Sequence, residues 1–116
     1  MPRIACVIED DNSLQEVYSL VLRSAGFDVL RASDGQTALD LLQNNQPEII
    51  FLDVRLPVIS GLDVLQYIDE ASHLNMSQVV VVSAGNHFEQ VTRQYPRAQF
   101  HLKPMLPTDI LSIISG

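Results

Sequence analysis

The stretch IIFLDVRLPVISG, residues 49–61, decides how this chain reads. Ile49, Ile50, Phe51 and Leu52 are consecutive apolar residues without alternation, the pattern of a strand covered on both faces, and the run stops on a carboxylate, Asp53. Pro57, Ser60 and Gly61 then mark a loop. The stretch IACVIEDD, residues 4–11, has the same construction: Ile4 to Ile8 are apolar and Glu9-Asp10-Asp11 end the run.

Outward from these two strands the rhythm alternates. Leu14, Val17, Tyr18, Val21 and Leu22 fall at helical spacing, with Asp11 or Asn12 as N-cap and Gly26 as the stop. Phe27 to Ala32 reads as a more polar strand. Ser33 or Asp34 then caps a helix carrying Ala38, Leu39, Leu41 and Leu42 and ended by Asn44-Asn45-Gln46-Pro47. After Gly61 the apolar residues Leu62, Leu65, Tyr67 and Ile68 predict a third helix to about Ala71. Val79 to Val82 form another buried strand, closed by Ser83-Ala84-Gly85. A weaker helix is expected over Asn86 to Gln94, with Phe88 and Val91 inward. Phe100-His101-Leu102 make a short last strand, and Pro107 opens a final helix through Ile110, Leu111, Ile113 and Ile114. Strict alternation with continuous apolar strands predicts an α/β sandwich: a flavodoxin-like, doubly wound (βα)5 fold around a five-stranded parallel sheet, strand order 2-1-3-4-5.

Length and charge narrow the function. A chain of 116 residues fits one domain, expected to span 1–116 with no output domain. Seven basic residues against 14 acidic give a net charge of −7, and the arginines are scattered, which argues against nucleic acid or an anionic membrane as partner. No apolar run approaches the roughly 18 residues a membrane helix needs. The single cysteine, Cys6, cannot form an internal disulfide, and a cytoplasmic setting is expected.

In an open α/β sheet the functional crevice lies beyond the carboxyl ends of the strands, so the residues that end them carry the chemistry. Here they are Glu9-Asp10-Asp11, Asp53, Ser83 and Lys103, the only lysine in the chain. Carboxylates gathered at one edge repel unless a cation joins them. A hard divalent ion, Mg²⁺ or Mn²⁺, suits a few carboxylate oxygens and leaves room for waters and a phosphoryl group.

The runs VIEDDNSLQ, FLDVRLPVISG, VVVVSAG and FHLKP together resemble the receiver domain of two-component response regulators, along essentially the whole chain. The spacings of 43 residues from Asp10 to Asp53, 30 to Ser83 and 20 more to Lys103 are close to that family's, the last slightly shorter. The resemblance implies that Asp53 is the phosphoacceptor, attacking the phosphohistidine of a histidine kinase or phosphotransfer protein. It implies that Asp10, Glu9 acting through water, Asp53 and the backbone carbonyl of Arg55 hold the metal. Lys103 would pair with Asp53 and then with a phosphoryl oxygen, and Ser83 would donate to another. Phe100 matches the switch aromatic, whose ring turns inward as the hydroxyl residue shifts and alters the surface around the fourth helix, fifth strand and fifth helix. The implied protein is not an enzyme beyond its own phosphorylation and dephosphorylation. Its message passes to a downstream protein, a homodimer or a phosphorelay.

Each residue also has an ordinary reading. Asp11 serves mainly as a helix cap, Cys6 as strand packing, and His73, His87 and His101 as solvated surface lacking metal-ligand spacing. Arg55 stands two residues after Asp53, where the family varies and where a cation can reach the phosphoryl group. A hydrolase of the haloacid dehalogenase type wants a second Asp at position 55. A phosphate-cradling cofactor binder wants a Gly- or Ser-rich loop where Glu9-Asp10-Asp11 would repel the ligand. An interaction module of the same fold that works without phosphorylation remains the alternative, although its mark, a missing acid or lysine, is absent. The chain departs from the family's pattern in its short segment between Ser83 and Phe100, where Pro96-Arg97-Ala98 replaces a turn of small residues.

Overall fold

The computed structural model describes residues 3–85 and 88–115, apart from the Val91 side chain. In chain order these form β1 (Arg3–Ile8), α1 (Asn12–Ser24), β2 (Phe27–Ala32), α2 (Gly35–Asn44), β3 (Ile49–Asp53) and α3 (Gly61–Glu70). A 3₁₀ turn at Ser72–Leu74 follows, then β4 (Gln78–Ser83), α4 (Glu89–Thr92), β5 (Ala98–Leu102) and α5 (Pro107–Ser115). The strands are all parallel and ordered β2-β1-β3-β4-β5. The alternation read from the sequence is therefore the doubly wound fold.

Side chains along β1, β3 and β4 alternate between two cores, which is why the runs are apolar throughout. Cys6, Ile8, Ile50, Leu52, Val79 and Val81 face one layer with Ala38, Leu42, Val64, Leu65 and Ile68 from α2 and α3. Ala5, Val7, Ile49, Phe51, Val80 and Val82 face the other with Tyr18 and Leu22 of α1 and Ile110 of α5. The edge strands β2 and β5 are only partly covered, which explains their more polar sequences.

The helix ends follow local chemistry. Asp11 is the N-cap of α1, accepting from the Leu14 N–H at 3.0 Å, and Asp34 caps α2, accepting from Thr37 at 2.7 Å. Gly26, at φ 97°, ends α1 in the left-handed conformation that favours glycine.

Four expectations shift. The buried stripe of α1 is Gln15, Tyr18, Ser19 and Leu22, while Val17 is 42% exposed. Two polar residues can occupy that stripe because both bond to backbone carbonyls, Gln15 to Glu9 and Ala32 and Ser19 to Gln15. Among the described residues the fourth helix is the single turn Glu89–Thr92, which stops short of Gln94. Asn86, His87 and the Val91 side chain lie outside the described residues, and Phe88 is half-buried against the α2–α3 core. The last strand begins two residues early, at Ala98, whose N–H bonds to Tyr95 at 2.8 Å. His73 and His101 are half-buried rather than solvated: His73 Nε2 lies 2.6 Å from the Leu42 carbonyl, and His101 Nδ1 lies 2.9 Å from that of Leu102.

Candidate functional site

The carboxyl ends of β1, β3 and β5 bring Glu9, Asp10, Asp53 and Lys103 together. With Asp11, Leu14, Arg55 and Ala84 they line an open cleft of about 370 Å³. The parallel register explains the meeting. Ile8 lies opposite Leu52, so the residues after each, Glu9 and Asp53, leave the sheet side by side.

Asp53 is 5% exposed. Its Oδ1 accepts the Arg55 N–H at 3.0 Å, and its Oδ2 faces Lys103 Nζ at 3.3 Å. Glu9, 1% exposed, uses Oε2 to accept the Asp11 N–H at 3.2 Å. Glu9 Oε1 lies 2.9 Å from Lys103 Nζ but receives no well-aligned hydrogen bond, so one buried carboxylate oxygen has charge contact without a directed donor. Lys103 was expected to pair with Asp53; its shorter contact is to Glu9.

Burial pushes the Glu9 carboxyl up to about 7; neighbouring Asp53 pushes the same way and Lys103 opposes. For Lys103, burial alone would lower the ammonium pKa. The close ion pair with Glu9 and the charge of Asp53 outweigh burial and raise it. Asp10 is exposed at the mouth of the cleft.

One oxygen from each of Glu9, Asp10 and Asp53 lies within 4.8 Å of the other two. Three hard oxygen donors, one of them under-bonded, fit a divalent cation that keeps part of its water shell. A soft thiolate-seeking metal has no partner in this set.

Ser83, fully buried, ends β4; its Oγ accepts the Gly85 N–H at 3.2 Å, and its carbonyl accepts the Lys103 N–H at 2.8 Å. Phe100 is half-buried beside Val81, packed against the α2–α3 core. Arg55 is exposed, with its guanidinium 6.0 Å from the centre of the Phe88 ring.

Two glycines shape the loop after Asp53. A Cβ on Gly61 would strike the Asp53 carbonyl oxygen and Val54, and one on Gly35 would strike Ile59. The loop is thus held close against both α2 and the acidic end of β3.

Sequence reading passed over Gln15, whose buried amide braces the Glu9 backbone from below. Its only sequence signal is its place three and seven residues before the buried Tyr18 and Leu22.

A family model for the response regulator receiver domain matches residues 5–115. The polar-differentiation response regulator DivK of Brucella anthropi is 29% identical over 84 residues, 72% of this chain and 68% of DivK. The chemotaxis response regulator CheY4 of Vibrio cholerae shares the fold with a TM-score of 0.89 at 21% identity, over 99% of this chain and 98% of CheY4. The bacteriophytochrome response regulator AtBRR gives 0.81 at 26% identity, over 99% of this chain and 91% of its own. With the fold and the strand-end residues already in place, the match over nearly the whole length means that this chain belongs to the response regulator receiver domain family.

Proposed function

We propose that this receiver domain is a phosphoacceptor that takes a phosphoryl group from a histidine kinase or phosphotransfer protein onto Asp53. The observation that carries this reading is the gathering of Glu9, Asp10 and Asp53 at the carboxyl edge of the sheet, with Lys103 Nζ against Glu9 and Asp53. An Asp53 carboxylate oxygen attacks phosphorus, the P–N bond to the donor histidine breaks, and its electron pair returns to the imidazole.

In this reading Glu9, Asp10 and Asp53, joined by the Arg55 backbone carbonyl, hold Mg²⁺ or Mn²⁺. Such an ion offsets the negative charge of the phosphoryl oxygens. Lys103, already shared between Glu9 and Asp53, transfers its contact to a phosphoryl oxygen. The Ser83 hydroxyl donates to another, and Phe100 follows it, re-forming the surface around α4, β5 and α5. The only reactions catalysed are the domain's own phosphorylation and dephosphorylation, and the message goes to a downstream protein, a second copy or a further relay step. The setting proposed is the cytoplasm. No helix among the described residues is long and apolar enough to cross a membrane.

The test is intact mass after incubation with Mg²⁺ and acetyl phosphate or a phosphorylated kinase. The expected result is one added phosphoryl group, removed by hydroxylamine and missing in Asp53→Asn. No gain, or an equal gain in the variant, would leave the phosphorylation-independent interaction module as the better account.

A further inference from the structure

Gln15 is 5% exposed, and both ends of its side-chain amide are hydrogen-bonded. Its Nε2 donates to the carbonyls of Glu9 at 2.9 Å and Ala32 at 3.1 Å, and lies 3.2 Å from Ser33 Oγ. Its Oε1 accepts from Arg31 Nε at 2.7 Å, and Arg31 is steadied in turn by Glu16 at 2.8 Å. The β1–β2 ladder ends at Ile8 opposite Ala32, and Glu9 N–H still reaches the Ala32 carbonyl at 3.0 Å. Beyond that point the amide of Gln15 ties the two strand ends together.

The Glu9 carbonyl belongs to the peptide plane between Glu9 and Asp10. That plane sets ψ of the first residue and φ of the second, and so the relative direction of their Cα–Cβ bonds. A donor that holds this carbonyl therefore orients two of the three carboxylates at once. Resting on the metal reading given above, we infer that Gln15 is a positioning residue, buttressed by Arg31, that sets the angle between the Glu9 and Asp10 side chains for divalent-cation binding. It touches neither the cation nor the phosphoryl group. Being neutral, it contributes geometry without charge.

Calorimetric titration of the full chain with MgCl₂ tests this, with thermal unfolding run in parallel. Gln15→Met keeps length and charge but loses every polar contact. It is expected to raise the Mg²⁺ dissociation constant about tenfold or more, the usual effect of removing a group that orients metal ligands. Arg97→Ala, a destabilised variant remote from the acids, is expected to bind Mg²⁺ as the wild type does. Arg31→Ala separates geometry from electrostatics. Removing a positive charge favours cation binding by Coulomb's law, whereas loss of the buttress weakens it, and weakening is expected. Should Gln15→Met fail to fold, Arg31→Ala decides alone. Unchanged or tighter Mg²⁺ binding in folded Gln15→Met, or in Arg31→Ala, overturns the inference. A wild-type chain that binds no Mg²⁺ overturns the metal reading itself.

Discussion

Val58 shows how closely the loop beside Asp53 is held. Among the described non-glycine residues it alone has a positive φ, 70°, and its side chain is 87% exposed. A β-branched residue in the left-handed region costs about 1–3 kcal/mol, and no burial offsets that here. The conformation is imposed by neighbours: Ile59 N–H turns back to the Pro57 carbonyl at 2.9 Å, and Gly35 N–H reaches the same carbonyl at 3.4 Å. Val58→Gly is therefore expected to stabilise the domain by about 1 kcal/mol, the relieved strain exceeding the added chain entropy of the unfolded state. Urea unfolding measures it, and a lower midpoint would show that Val58 contributes more through contacts than it loses through strain.

At the scale of the element, the segment between β4 and β5 departs most from expectation, and Arg97 anchors it. Its guanidinium donates to the carbonyls of Leu74 at 2.6 Å, Ser77 at 3.1 Å and Ile68 at 3.0 Å. One side chain thus covers carbonyls at the end of α3, in the 3₁₀ turn and in the lead into β4, where a cation also answers the helix dipole. Bonds to a charged donor carry about 1.5–3 kcal/mol each before the losses of ordering. Arg97→Ala is expected to cost about 2 kcal/mol in thermal or urea unfolding, and to speed amide hydrogen exchange around Leu74–Ser77. Unchanged stability would mean that water replaces the guanidinium without loss. Sequence reading treated Arg97 only as an unusual turn residue, because a link between residues 20 to 29 positions apart leaves no periodic trace.

At the scale of the molecule, the strands were legible and the supports between them were not, for one physical reason. A strand buried on both faces must be apolar along its length, so β1, β3 and β4 announce themselves, and the polar groups that end them mark the crevice. Gln15 and Arg97 reverse that rule: each buries polar atoms by bonding carbonyls brought near by the fold, which hydropathy cannot register. Cys6 obeys it. It lies in β1, between β2 and β3, fully buried, and burial pushes its thiol up to about 12 from an ordinary 9.0. No local opening frees a residue so placed, so a thiol reagent at pH 8 is expected to label the chain only as fast as it unfolds globally. The pH dependence follows from the sign of the shift. Below pH 9 folded and unfolded chains both keep the proton; above it only the unfolded chain loses it, so stability falls as pH rises toward about 12. Measured by urea unfolding, the advantage of wild type over Cys6→Ala should shrink by about 1 kcal/mol between pH 8 and pH 10, other titrations cancelling between the two. A difference that stays constant over that interval would mean that the Cys6 thiolate is tolerated in the fold and that β1 is not sealed as the packing indicates.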